Sequence, residues 1–368
     1  MSAPRIILDA RITRQMSVGM IAYVRELVKR LPKAAPDFAF VVASNAQLEI
    51  PDGVERVVVD EKVAENGSLG EQFGYARVLN DLARASSLTH FMSVYAPRFG
   101  PRPYVYTIHD LIHLRFPQYF KWKVKPYYQW VVGPLARRAA AVIVDAHATI
   151  PDIERYLGAA PTATRVVPLG VSERFALDDE QRAAAGAAAR ARFELSAPYL
   201  FYAGNHREHK NLQTLVAAWQ QVNGACDLVL TESMPFAFDL DRYRKSDGRI
   251  VRAGHVSEEE LVGLYAGCTA TVQPSLYEGF GLSVLEGMAA GAPVIVAQTP
   301  ALLEVAGDAA LTFPPLDVAA LTRALAQTIA GGSAIDGLRA RGRARAAEYT
   351  WDRTAERTAQ VYRECLAR

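Results

Sequence analysis

The sequence predicts an α/β protein built from two doubly wound parallel-sheet domains, and three observations carry the prediction. Short apolar runs bounded by turn residues alternate with segments of helical periodicity. That alternation runs once through the first half of the chain, breaks, and starts again in the second half. The break, SERFALDDEQRAAAGAAARARFELSA over 172–196 of the numbering, with its closing Ala197, is polar, rich in alanine and without a strand signal.

The elements follow in order. RIILD at 5–9 reads as a buried strand, and the loop ARITRQMSVG leads into a helix, MIAYVRELVKRLP, with apolar residues at helical spacing. Segments 38–43 and 54–58 read as strands, and 71–85 as a helix carrying Phe73, Val78, Leu79 and Leu82. Strands at 88–92 and 105–108 come next, the second ending at His109-Asp110. A helix at 126–140 and a strand at 141–144 precede Thr149, which with Asp152 three residues on has the pattern of a capped helix start. TRVVPLGV closes this first set.

The second set opens with a strand at 199–203, the loop GNHREHKN and the helix LQTLVAAWQQV. Strands at 227–231 and 249–252 lead to Ser257-x-x-Glu260, another capping pattern. A strand at 270–273, a long motif at 277–297 ending in a strand, and helices over most of 317–349 complete it. The domain boundary is placed between 180 and 181. In such folds ligands gather at the carboxyl ends of the strands, and a cleft between two domains is the natural site.

Composition narrows the function. Half the residues are hydrophobic, 22% are charged and the net charge is +2, so overall charge implies no nucleic-acid partner. The three cysteines, Cys226, Cys268 and Cys365, show neither metal-ligand spacing nor a disulfide framework, which fits a reducing, cytoplasmic setting. No apolar run approaches the roughly 20 residues of a membrane span, so membrane contact is expected to be peripheral. His113, His206, His209 and His255 are too scattered for a metal site, and none is expected.

The motif YEGFGLSVLEGMAAGAPVIVA sets Glu278 and Glu286 eight residues apart, a little over two helical turns. Gly279 and Gly281 let the backbone approach a ligand, and the amides of Phe280, Gly281 and Leu282 then open a helix as an anion site. Two solvated carboxylates at a helix start are the plain alternative, and the Gly-Phe-Gly turn weighs against it. The motif is no dinucleotide fingerprint, because Val284 stands where the third glycine is wanted. Lys210 precedes a helix whose N-terminus disfavours positive charge, so an anion is expected beside it. Lys121, Trp122, Lys123, Lys125, Tyr127, Tyr128 and Trp130 interleave cations with aromatics. They read either as a mixed surface helix with its rings packed inward or as a patch for anionic lipid.

Four stretches, YTIHDLIHLRFPQYF, YAGNHREHKNLQTL, GHVSEEELVGLY and PSLYEGFGLSVLEGMAAGAPVIVA running on to TPALLEVAGDAAL, give the chain a resemblance to the GT-B-fold glycosyltransferases of family 4. The resemblance implies two Rossmann-like domains facing across a cleft, with the last helix, 351–368, returning to the N-terminal domain. It makes 1–180 with that helix the acceptor-binding domain and 181–350 the nucleotide-sugar-binding domain. It implies a retaining, metal-independent transfer of a hexose from a nucleotide-sugar to a saccharide or lipid-linked saccharide. Its tilt towards bacterial mannosyltransferases of surface-polysaccharide assembly points to GDP-mannose. By the same resemblance Glu286 holds the donor ribose, Glu278 the sugar near its reacting carbon, and Lys210 the diphosphate. The Phe280, Gly281 and Leu282 amides meet sugar or pyrophosphate, Gly19 lies in a loop near the pyrophosphate, Val256 with His255 seats the base, and His109 faces the sugar. Two departures stand out: His209 occupies the usual arginine position, with Arg207 as a substitute, and Ile21 and Ala22 replace the glycine and arginine of the N-terminal loop. A nucleotide-sugar 2-epimerase and a non-catalytic nucleotide-sugar-binding subunit are the competing readings.

Overall fold

The computed structural model describes residues 3–12, 16–45, 48–60, 65, 67–120, 124–159, 163–224, 226–231 and 247–367. Seven parallel strands form the first sheet: β1 (Arg5–Asp9), β2 (Ala39–Ser44), β3 (Glu55–Val58), β4 (Leu88–Phe91), β5 (Tyr104–Thr107), β6 (Ala141–Val144) and β7 (Thr164–Val166). Their order is β3-β2-β1-β4-β5-β6-β7. Six form the second: β8 (Tyr199–Tyr202), β9 (Asp227–Thr231), β10 (Ile250–Gly254), β11 (Ala270–Gln273), β12 (Val294–Ala297) and β13 (Leu311–Phe313), in the order β10-β9-β8-β11-β12-β13. Both sheets are doubly wound, as the alternation predicts. The winding reverses between β1 and β4 in one and between β8 and β11 in the other, and a ligand crevice opens at such reversals. The sequence reading lacked β13, whose three residues are too few for a periodic signal.

The chain divides into two compact units, Met1–Gly170 with Trp351–Arg368, and Val171–Thr350. Residues 171–180, assigned by composition to the first domain, therefore belong to the second unit. Val171 donates its N–H to the Tyr349 carbonyl at 3.0 Å, and buried Phe175 meets the Tyr265 ring edge-on at 5.9 Å. Composition marks a change of character; contacts decide the boundary.

In the first unit, the helix Val18–Ala34 is capped by Ser17, whose hydroxyl accepts from the Met20 amide at 3.3 Å. Its Tyr23, Val24, Leu27, Val28 and Leu31 are buried. The terminal helix Trp351–Leu366 packs against it, burying Ala355, Ala359 and Tyr362. Ion pairs Arg30–Asp352 and Arg363–Asp37, at 2.9 and 2.7 Å, border that helix. Pairs this exposed contribute at most about 1 kcal/mol each, so apolar packing holds the helix.

Two local expectations change. Phe73 does not share the buried face of its helix: it is 62% exposed and stacks on Phe99 with ring centroids 5.6 Å apart. Gly70–Tyr75 is a π-helical turn preceding the helix Ala76–Ala83, and Glu71 and Tyr75, four residues apart in it, are buried while Phe73 is not. Thr149 makes no capping bond and lies in the helical region, while Asp152 is buried and accepts from Arg115 at 3.1 Å.

The inward-turned residues complete a buried ionic cluster at the carboxyl end of β1. Arg11 donates two hydrogen bonds of 2.7 Å to Asp9 and one of 3.1 Å to Glu71, with the Tyr95 carbonyl at 2.9 Å. The Tyr75 hydroxyl donates to Asp9 at 2.8 Å. Arg11→Leu strips two buried carboxylates of their counter-charge and is expected to cost about 3–5 kcal/mol, read by urea denaturation.

Candidate active site

In the second unit the loops after β8 and β11, neighbouring strands at the reversal point, supply the charged groups. Lys210 Nζ lies 2.6 Å from Glu278 Oε1. The same oxygen accepts from Ser275 Oγ at 2.7 Å and Gln273 Nε2 at 3.0 Å. Three donors on Oε1 leave Oε2 as the carboxylate oxygen available to a ligand. An ammonium has three N–H groups, so Lys210 keeps two for an anion. The loops are tied together where Leu276 N–H donates to the His209 carbonyl at 2.8 Å and Asn211 Nδ2 to that of Pro274 at 3.0 Å. Burial would push the Glu278 carboxyl up, but Lys210, the Ser275 hydroxyl and His209 together hold it below the usual carboxylate range.

Glu286 lies on the helix Leu282–Ala289, which begins after Gly281 at φ 123°, a conformation that suits glycine. A side chain at Gly281 would also meet Leu302 Cδ2 at 3.0 Å. Phe280, Gly281 and Leu282 thus form the helix start, whose first amides have no partners within the helix. Tyr265 donates its hydroxyl to Glu286 Oε2 at 3.1 Å. Burial raises the Glu286 carboxyl to about 7; the Tyr265 bond opposes the rise and Glu258 adds to it. The two glutamates are therefore unlike: one is held ionised by a cation, the other is poised to titrate near neutrality.

In the first unit His109 follows β5 and Asp145 follows β6. His109 Nδ1 stands 2.8 Å from Asp145 Oδ2, and Nε2 stands 3.3 Å from the Met92 carbonyl. Both ring nitrogens face acceptors, an arrangement the doubly protonated imidazolium satisfies. Burial works against that charge, but Asp145 and Asp110 raise His109 above the ordinary histidine value. Asp145 escaped the sequence reading, although VIVD repeats the strand-then-carboxylate ending of RIILD. Its Oδ1 is buried and without a hydrogen-bond partner.

Other expected residues fall elsewhere. Gly19 lies not in a loop but in the first turn of the helix Val18–Ala34, together with Ile21 and Ala22. Arg207 is exposed at the start of the turn Glu208–Lys210, and it is His209 that is buried beside Lys210. Val256 is half-buried in the turn before Ser257, whose capping box with Glu260 forms as predicted. Lys121, Trp122 and Lys123 lie outside the described residues; Tyr128 is buried, Tyr127 packs on the core, and Trp130 is 65% exposed. Among the described residues no group of His, Cys, Asp and Glu is arranged to hold a metal, and no helix is long and apolar enough to cross a membrane.

Residues 19–175 match the glycosyltransferase family 4 domain, and residues 197–330 the domain described as glycosyl transferases group 1. The chain is 32% identical to the O-antigen chain mannosyltransferase B of Escherichia coli over 45% of each protein. It is 28% identical to the MMP alpha-(1->4)-mannosyltransferase of Mycolicibacterium hassiacum over 64% of this chain and 56% of that one. The matches thus span about half the length of these curated relatives. Among solved structures, Anabaena HepE in complex with UDP and glucose superposes with a TM-score of 0.75 over 98% of this chain and 100% of that one, at 16% identity.

Proposed function

This chain belongs to the GT-B glycosyltransferases, with a family 4 domain in its first half and a group 1 domain in its second; from that membership we propose that it moves a hexose from a nucleotide-sugar to a saccharide or lipid-linked saccharide acceptor with retention of configuration. The observation that carries this reading is the meeting of Lys210 with Glu278 at the β8/β11 reversal, with Glu286 on the helix that follows. Glu286 takes the ribose hydroxyls as a hydrogen-bond acceptor. Glu278, through Oε2, accepts from a hydroxyl of the sugar. The two remaining N–H groups of Lys210 and the amides of Phe280, Gly281 and Leu282 hold the diphosphate.

Transfer then breaks the bond between the anomeric carbon and the diphosphate oxygen and makes one to the acceptor oxygen on the same face. The acceptor proton passes to the departing diphosphate, whose growing charge Lys210 stabilises. A carboxylate held ionised by a lysine is a poor proton donor, which fits Glu278 as an acceptor of hydrogen bonds in this scheme. No metal is required by it, and no step depends on one.

The two curated relatives compared above are mannosyltransferases and the solved neighbour holds UDP, so the donor to be tested lies between GDP-mannose, which we favour, and a uridine counterpart. A thermal-shift panel of GDP, GDP-mannose, UDP and UDP-glucose decides it, since a selective ligand raises apparent stability by mass action. GDP and GDP-mannose are expected to raise the Tm; a selective rise with UDP redirects the donor, and no shift with any nucleotide sinks the reading. Incubation with donor alone should give no epimerised sugar.

For a lipid-linked acceptor, the work is placed in the cytoplasm at the membrane surface, with Lys125 and Trp130 beside an anionic bilayer. Vesicle sedimentation should show binding that needs anionic lipid and weakens when Lys121, Lys123 and Lys125 are replaced. Equal sedimentation of both proteins removes the membrane contact.

A further inference from the structure

Behind His109 the first unit contains a chain of polar side chains that its apolar core would not need for packing. The Tyr362 hydroxyl, from the terminal helix, lies 2.6 Å from His90 Nδ1 on β4. His90 Nε2 lies 2.7 Å from Thr107 Oγ1 at the end of β5, and that oxygen is 3.0 Å from the Tyr23 hydroxyl on the helix Val18–Ala34. The Tyr23 ring meets the His109 imidazole edge-on, with centroids 4.6 Å apart and planes at 83°. Tyr362, His90, Thr107 and Tyr23 are all 0% exposed.

With water excluded, each group must find its partner inside the chain, and the three bonds fix one another. Burial drives His90 down to about 3, so it is neutral and carries a single ring proton. If that proton is on Nδ1, the Tyr362 oxygen accepts it and Nε2 accepts from Thr107. If it is on Nε2, Thr107 accepts it and Tyr362 donates to Nδ1. In either direction the Tyr23 hydroxyl is anchored to Thr107, and an anchored hydroxyl fixes where the ring stands. Aromatic placement of this kind sets the tilt of a neighbouring imidazole, because edge-to-face contact favours one orientation.

We propose that Tyr23, anchored through Thr107 and His90 to Tyr362 of the terminal helix, is a positioning residue for His109, so that this helix sets the alignment of the imidazole. The consequence for turnover rests on the reading of His109 as a residue that meets the sugar; the positioning itself does not. The groups that face His109 are Asp145 after β6, Asp110 in its own loop, the Met92 carbonyl after β4, Tyr23, and His90 behind them. Asp145 alone holds Nδ1 by a short bond, so a ring released by Tyr23 leaves that contact for part of the time.

The test is histidine NMR on full-length protein with labelled imidazoles, the His109 signals being assigned by their loss in His109→Asn. Tyr23→Phe and Tyr362→Phe keep both rings and remove only the hydroxyls that carry the chain. Both are expected to broaden the His109 signals and lower its titration midpoint, as the ring spends less time against Asp145. Arg363→Ala, on the exposed side of the same terminal helix, is expected to change neither. In transfer assays the two phenylalanine variants should lose about tenfold in kcat with the donor KM unchanged, the pattern of misalignment without lost binding. If the His109 signals and midpoint are the same in wild type and both variants, with only the Tm lowered, the chain is structural and the proposal is overturned. Full activity of His109→Asn would instead sink the role of His109 in transfer, while the NMR result still judges the positioning.

Discussion

Lys210→Met is expected to lower the kcat of transfer by about 10²–10³-fold and to make the remaining activity rise with pH. Lys210 does two jobs in the geometry. In the proposed mechanism it neutralises the leaving diphosphate, and in the structure it holds Glu278 ionised from 2.6 Å away. In the wild type the depressed Glu278 carboxyl contributes stability that is present above the ordinary carboxylate range and is lost as pH falls through the folded value. Without the ammonium, burial dominates and the carboxyl moves upward, so the ionised form returns only at higher pH. Ser275 and Gln273 still donate to Oε1, which limits the structural damage. A pH–rate profile of Lys210→Met beside Lys210→Arg checks this. A methionine variant with wild-type kcat, or one whose profile stays flat, contradicts the assignment.

Donor affinity is expected to rise with pH by about tenfold between pH 6 and pH 8, the ratio of ionised fractions for a carboxyl titrating near 7. In the role proposed for Glu286 the ribose hydroxyls donate to it, so only its ionised form accepts from both. A nucleotide-sugar suits the measurement, because its diphosphate has no terminal phosphate to titrate near pH 6. Glu286→Gln should bind weakly and without pH dependence by calorimetry, and a pH-dependent Gln variant would place the titration elsewhere. Stability should move the other way. A carboxyl raised by folding favours the folded state most below its unfolded value, and the advantage is lost as pH rises through about 7. The apo protein is therefore expected to have a lower Tm at pH 8 than at pH 6, with the donor reversing part of the difference.

These two glutamates show how unevenly the site was legible. Their spacing and the glycines around them read as a ligand cradle in the sequence, and Lys210 stands out there by preceding a helix start that disfavours positive charge. Nothing in the spacing says that one carboxyl would be held below the usual carboxylate range and the other raised above it. That difference comes from Lys210 lying against Glu278 and from burial around Glu286 with Tyr265. Asp145 is a plainer omission. A single aspartate after an apolar run has many uses, and only the neighbouring positions of β5 and β6 bring it to His109.

The sequence by itself determined the fold class, nearly all the strands, and the motif that marks the second unit, because hydrophobic period, turn residues and glycine placement are local properties. Tertiary structure alone decided the boundary at Val171, the inward turn of Glu71 and Tyr75 towards Arg11, and the chain from Tyr362 to Tyr23. Each of these joins residues far apart in the chain. The energies that fix them, desolvation of charge and the pairing of buried polar groups, exist only once distant strands and helices have excluded water.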